Sequence, residues 1–136
     1  MIEFENAFMD IQASLVSLCL EFVDNNVDKI YIFIYQDCEM QTFNTFFRKD
    51  GKVKITTDFS SDELTDKFLD MGIQEIDNLI NICDKYNQKC PNEIKMIYDV
   101  KNKSFDATYC YQDYAKTGEK DPDDTLINWL KEEKSK

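Results

Sequence analysis

Pro91 to Tyr114 reads PNEIKMIYDVKNKSFDATYCYQDY, and a polar loop then leads to DPDDTLINWL at Asp121 to Leu130. In the first part Ile94, Met96, Tyr98 and Val100 alternate with polar or mixed residues, as do Phe105, Ala107, Tyr109 and Tyr111. That period of two is the pattern of strands with one buried face. Lys101, Asn102 and Lys103 supply the turn of a hairpin. Asp121 is placed to cap a helix that starts at Pro122, with Asp123 and Asp124 in its positively polarised first turn. Leu126, Ile127, Trp129 and Leu130 are then expected to press onto the sheet.

The chain of 136 residues is long enough for one core, so a single domain over residues 1–136 is expected, with 131–136 as a frayed tail. No run of about 18 apolar residues occurs, and the N-terminus MIEFENAFMD is acidic, so neither a membrane span nor an export signal is read here. The expected setting is the cytoplasm. Five cysteines (Cys19, Cys38, Cys83, Cys90, Cys110) lack any C-x-x-C pair, which fits reduced thiols, and Cys19 and Cys83 fall on apolar helix faces as small hydrophobes. Histidine is absent. Without it there is no Ser–His or Cys–His nucleophile and no His-containing zinc site. A net charge of −11 argues against direct binding of nucleic acid and points to basic proteins or to solubility alone.

Outward from the hairpin, residues 3 to 24 carry Phe4, Phe8, Ile11, Leu15, Leu18 and Phe22 at three–four spacing, an amphipathic helix with Gln12 among its polar positions. Asp24-Asn25-Asn26 should end it. In Lys29 to Tyr35, Ile30, Ile32 and Ile34 face one way and Tyr31, Phe33 and Tyr35 the other, so this is a central strand apolar on both faces. A second strand, Gln41 to Lys49, turns at Asp50-Gly51 into a thin basic edge strand, Lys52 to Thr57. Ser60 and Glu63 have capping-box spacing for a helix carrying Leu64, Phe68, Leu69, Ile73, Ile76, Leu79, Ile80 and Cys83. Gly72 within it predicts either two short helices or a kink. The reading is a single α+β domain in the order α-β-β-β-α-β-β-α. It has an antiparallel sheet of about five strands with helices mainly on one face.

Acidic residues concentrate twice: Asp58, Asp62, Glu63, Asp66, Asp70, Glu75 and Asp77 around Lys67, and Asp113, Glu119, Asp121, Asp123 and Asp124 beside Lys116 and Lys120. A solvated helix face, a docking surface for a basic partner and a metal or catalytic carboxylate site compete to explain them. No EF-hand loop is present, and Gly51, Gly72 and Gly118 are too scattered for a phosphate cradle, so no metal, cofactor or catalytic residue is assigned and an enzyme is not expected. Aromatic residues on both sheet faces leave open an apolar binding patch if the helices cover only one of them.

The aromatic strand Lys29 to Tyr35, the F-F-R-K-D-G-K hairpin, Ile94 to Val100, Phe105-Asp106-Ala107, Tyr109-Cys110-Tyr111 and the closing Asp-Pro…Trp129 helix together resemble the YezG-like immunity proteins of bacteria over almost the whole chain. The matching motifs are structural rather than catalytic. The resemblance implies a small cytoplasmic antitoxin that binds the toxic C-terminal domain, often a nuclease, of a cognate secreted toxin. Because nucleases present basic clefts, the expected contact residues are Asp62, Glu63, Asp66 and Asp70 on the middle helix, with Tyr111, Asp113 and Tyr114 after the last strand. The alternative is a non-enzymatic ligand-binding or adaptor domain with a pocket between sheet and helices.

Overall fold

The computed structural model describes residues 2–113 and 122–136. The expected cap Asp121, the candidate contact residue Tyr114, Gly118 and the charges at Lys116, Glu119 and Lys120 lie outside the described residues. In chain order the elements are α1 (Ile2–Phe22), β1 (Lys29–Gln36), β2 (Gln41–Lys49), β3 (Lys52–Ile55), one 3-10 turn (Thr56–Asp58), α2 (Asp62–Lys85), β4 (Glu93–Asp99), β5 (Ser104–Cys110) and α3 (Pro122–Lys134). The strands form one antiparallel sheet in the order β3-β2-β1-β4-β5. The α+β order read from the sequence is therefore the order of the fold.

β1 sits at the centre because both its faces are apolar. Ile30, Ile32 and Ile34 join Leu15, Cys19, Phe68, Ile76 and Leu79 beneath α1 and α2. Tyr31, Phe33 and Tyr35 turn to the opposite face, where Phe46 and Trp129 meet them. Asp50 and Gly51 take φ values of 53° and 78°, as a two-residue hairpin turn requires, and they set Lys49 opposite Lys52. The edge expected to be thin and basic is the four-residue β3.

α1 ends where Asp24 and Asn25 adopt left-handed backbone, with the Asn25 N–H donating to the Leu20 carbonyl at 2.9 Å. Its apolar stripe is wider than the spacing indicated. Phe4 and Phe22 face α2, ringing against Tyr86 (5.9 Å) and Phe68 (4.1 Å), while Gln12, Leu15, Val16 and Cys19 are buried. Gln12 is thus a core residue rather than a surface one, and its Nε2 donates to the Tyr109 hydroxyl at 2.7 Å. α2 is capped by Ser61, not Ser60: the Ser61 Oγ accepts from the Leu64 N–H at 3.3 Å. The helix runs unbroken through Gly72, which lies against Phe43 of β2. Leu64 is 54 % exposed, because the buried line runs through Thr65, Phe68, Gly72 and Ile76.

α3 covers part of the second sheet face, so among the described residues two helices lie on one face and one on the other. Trp129 sets its ring edge-on to Tyr31 (5.7 Å) and Phe46 (5.1 Å). Ile127 is 45 % exposed and does not reach the sheet as expected. The helix also continues into the segment read as a frayed tail. Glu133 is buried there, and Arg48 donates to its carbonyl at 2.7 Å and to the Tyr31 hydroxyl at 3.2 Å. Among the described residues no helix is long and apolar enough to cross a membrane.

Candidate docking surface

With Thr65, Phe68, Gly72 and Ile76 turned inward, the 3.6-residue period of α2 puts Asp62, Glu63, Asp66 and Asp70 outward, and all four are exposed. Asp62 and Glu63 occupy the first turn, where the helix dipole favours negative charge. Lys67 reaches Glu63 at 3.8 Å, but both side chains are largely solvated, so the pair neutralises little of the field. The other members of this acidic run have internal tasks. Asp58 accepts from the Ile55 N–H at 2.8 Å, Asp77 from Gln41 at 2.8 Å and Glu75 from Asn78 at 3.2 Å. Over residues 62–71 the helix therefore projects the four-carboxylate set and Lys67, together with Leu64 and Met71, 54 % and 52 % exposed. Three–four spacing predicts a core place for Leu64, and the structure turns it outward. Its place one position ahead of the Thr65–Phe68–Gly72 line was the signal that it faces out.

Tyr111 and Asp113 stand elsewhere. Tyr111 is 47 % exposed, with the Lys89 ammonium 5.5 Å above its ring, just beyond the C-terminal end of α2. The contacts of Phe4 with Tyr86 and of Phe22 with Phe68 show α1 and α2 running antiparallel, so Tyr111 and the Asp62 turn lie near opposite ends of α2. At about 1.5 Å per residue that helix is roughly 36 Å long. The structure does not bring the two sets of expected contact residues into one patch. Asp113 is half-buried, and Tyr114 is outside the described residues.

Tyr111 instead borders an apolar groove between α1 and β5. Phe4, Phe8, Met9, Pro91 and Tyr109 line a volume of about 270 Å³, and past Met9 a second volume of about 310 Å³ continues beside Val16, Leu20, Tyr98 and Phe105. The main buried polar group at this groove is Gln12, whose amide nitrogen donates to Tyr109 and whose Oε1 has no partner among the described residues. Burial pushes the Tyr111 phenol up, with the neighbouring Cys83 and Cys90 adding to it, and burial also raises both of those thiols. Thiols so placed are poor nucleophiles at neutral pH. Among the described residues no group of three or more cysteine, aspartate or glutamate side chains is placed to hold a metal ion. In comparisons with known proteins, no family model matches the chain and no curated protein matches it.

Proposed function

We propose that this protein is an immunity protein that binds and neutralises the toxic C-terminal domain, a nuclease, of a cognate secreted toxin in the bacterial cytoplasm. The observation that carries this reading is the exposed surface of α2, where Asp62, Glu63, Asp66 and Asp70 line one flank of the helix and the exposed Leu64 and Met71 line the other, Met71 beside Ala13 and Leu18 of α1. Protein interfaces combine apolar contact area with a polar rim, and this surface carries an apolar edge beside its carboxylates. Rim carboxylates steer a basic partner and fix its register, while the leucine and methionine supply contact area. The resemblance to YezG-like immunity proteins supports the same class, and binding rather than catalysis is the work proposed for the chain. The enzyme's phosphate-binding cleft is the natural target of such a face, since it is built to receive negative charge.

The test is co-purification with the toxic domain encoded beside this chain, followed by titration calorimetry with the variant Asp62→Lys/Glu63→Lys/Asp66→Lys/Asp70→Lys. Reversal of four rim charges, each worth up to about 1 kcal/mol as an exposed pair and repulsive once reversed, is expected to weaken binding by at least about a hundredfold and to flatten its salt dependence. Circular dichroism should show the fold intact, because all four residues are exposed. Unchanged affinity and unchanged salt dependence would rule the α2 face out. A loss confined to Tyr111→Ala would transfer the interface to the groove between α1 and β5.

A further inference from the structure

We propose that the outer edge of β5, which no described strand pairs with, pairs with β5 of a second copy of this chain, joining two sheets about a twofold axis through Ala107. This goes beyond the α2 face and is independent of it, since α2 packs over β2, on the far side of β1 and β4 from β5.

The two edges of the sheet are treated differently. β3 is four residues long and carries Lys52 and Lys54, a common protection against further pairing. β5 is seven residues long, reads SFDATYC without lysine or proline, and pairs with β4 alone among the described residues. Its outward groups follow from the ladder. The Gln36 N–H donates to the Asn92 carbonyl at 2.8 Å and the Val100 N–H to the Asp28 carbonyl at 2.9 Å, which sets the even-numbered positions of β4 toward β1; just before β4 the Asn92 N–H turns instead to the Cys110 carbonyl at 2.9 Å. The odd-numbered ones then bond to β5, where their partners are Ser104, Asp106, Thr108 and Cys110. Phe105, Ala107 and Tyr109 are left pointing their N–H and C=O groups away from the sheet.

An antiparallel twofold through Ala107 is the one register that maps these three residues onto themselves. It sets Phe105 opposite Tyr109 of the second copy and Ala107 opposite Ala107, so that every outward group finds a partner. The side chains agree with it. Phe105 and Tyr109, 36 % and 40 % exposed, become cross-strand aromatic pairs. Asp106 falls opposite Thr108, a neutral hydrogen-bonding neighbour, whereas a twofold through Asp106 would oppose two carboxylates. Met9, 49 % exposed on α1, flanks the same seam. The charge of −11 on each copy opposes association at long range, so the pairing should tighten as salt screens it.

Sedimentation equilibrium of the intact chain tests this. The expected mass at high micromolar concentration is twice 16.1 kDa, with a dissociation constant that falls as salt is raised. Thr108→Asp places an aspartate opposite Asp106 at two symmetric points and should weaken the dimer about tenfold. The composition-preserving swap Asp106→Thr/Thr108→Asp should restore it. Thr108 is exposed, so neither change depends on the fold being rebuilt. Ala107→Pro removes the central N–H without touching the β4 ladder and should abolish the dimer with the circular dichroism retained. A wild-type chain that stays monomeric at the highest concentration overturns the proposal and leaves the edge to a strand of another protein. A dimer indifferent to both Thr108→Asp and Ala107→Pro overturns it as well.

Discussion

Replacing Gly72 by alanine sets two effects of opposite sign against each other. Glycine inside a helix costs about 1 kcal/mol relative to alanine, so at an exposed position or at a kink the substitution would stabilise α2. Gly72 is neither exposed nor at a break. A Cβ built there lies 2.5 Å from Phe43 Cγ and closer still to Cδ2 and Cε2, well inside van der Waals contact. Phe43 is 4 % exposed, and the Phe68 ring stands 5.5 Å away in an edge contact, so the phenyl has little room to retreat. Either the ring leaves its rotamer or α2 lifts from β2, and overpacking of this kind costs about 1–3 kcal/mol. The clash wins: Gly72→Ala should lose about 1–2 kcal/mol in urea denaturation at neutral pH. For a chain of this length that corresponds to a fall in melting temperature of about 4–8 °C. Phe43→Ala removes every obstructing ring atom, so the double variant should be more stable than the sum of the single changes predicts by at least about 1 kcal/mol. A Gly72→Ala protein as stable as the wild type, or additive effects in the double variant, would refute the close approach and restore the reading of Gly72 as a helix break.

The fastening of α3 makes a second prediction. Arg48→Met removes the donor that reaches Tyr31, the Glu133 carbonyl and the Gly51 carbonyl, and it leaves Glu133 buried; a loss of about 2–4 kcal/mol with a red shift of Trp129 fluorescence is expected. Burial pushes the Glu133 carboxyl up, but Lys136, the Tyr31 hydroxyl and Arg48 outweigh it and hold the group below the ordinary carboxylate value. Its contribution to stability is therefore complete above the unfolded pKa of about 4.3 and fades as pH falls through the lower folded value. The urea midpoint should drop on acidification, and Glu133→Gln should drop less over the same range; equal slopes would refute the role of this carboxylate. A thiol reagent added to the native protein should label the exposed Cys38 first and leave Cys19 and Cys83 until unfolding, and Cys19 labelling at the rate of Cys38 would contradict the packing of α1.

Much of this fold was legible in local pattern because its sheet is made mostly of neighbours in sequence. The two-faced alternation of Lys29 to Tyr35 can be satisfied only at the centre of a sheet, and Asp50-Gly51 and Lys101 to Lys103 fix adjacent hairpins. Periodicity fails where a distant residue changes what a side chain needs. Gln12 is polar yet buried because Tyr109, 97 positions away, supplies its hydrogen bond. Glu133 is drawn in by Arg48, and Gly72 owes its place to Phe43 on another element. The exposed carboxylates of α2 could be read from the helical period. That Tyr111 stands near the other end of the same helix could not, because that distance depends on how α1 and β5 pack and not on either acidic run.

The position of β1 also bears on how the chain is made. Its strand is synthesised early, but the strand that flanks it on one side, β4, and the tryptophan that covers its second face come much later. At ribosomal rates of about 5–20 residues per second, Tyr31 waits some 5–20 seconds for Trp129 to be added. During that interval Tyr31, Phe33 and Tyr35 form an apolar surface on a growing chain, open to chaperones and to other nascent chains. A message cut short before residue 122 would make that interval permanent, so α3 serves as a late-added cover that ends the exposure of the sheet's central rings.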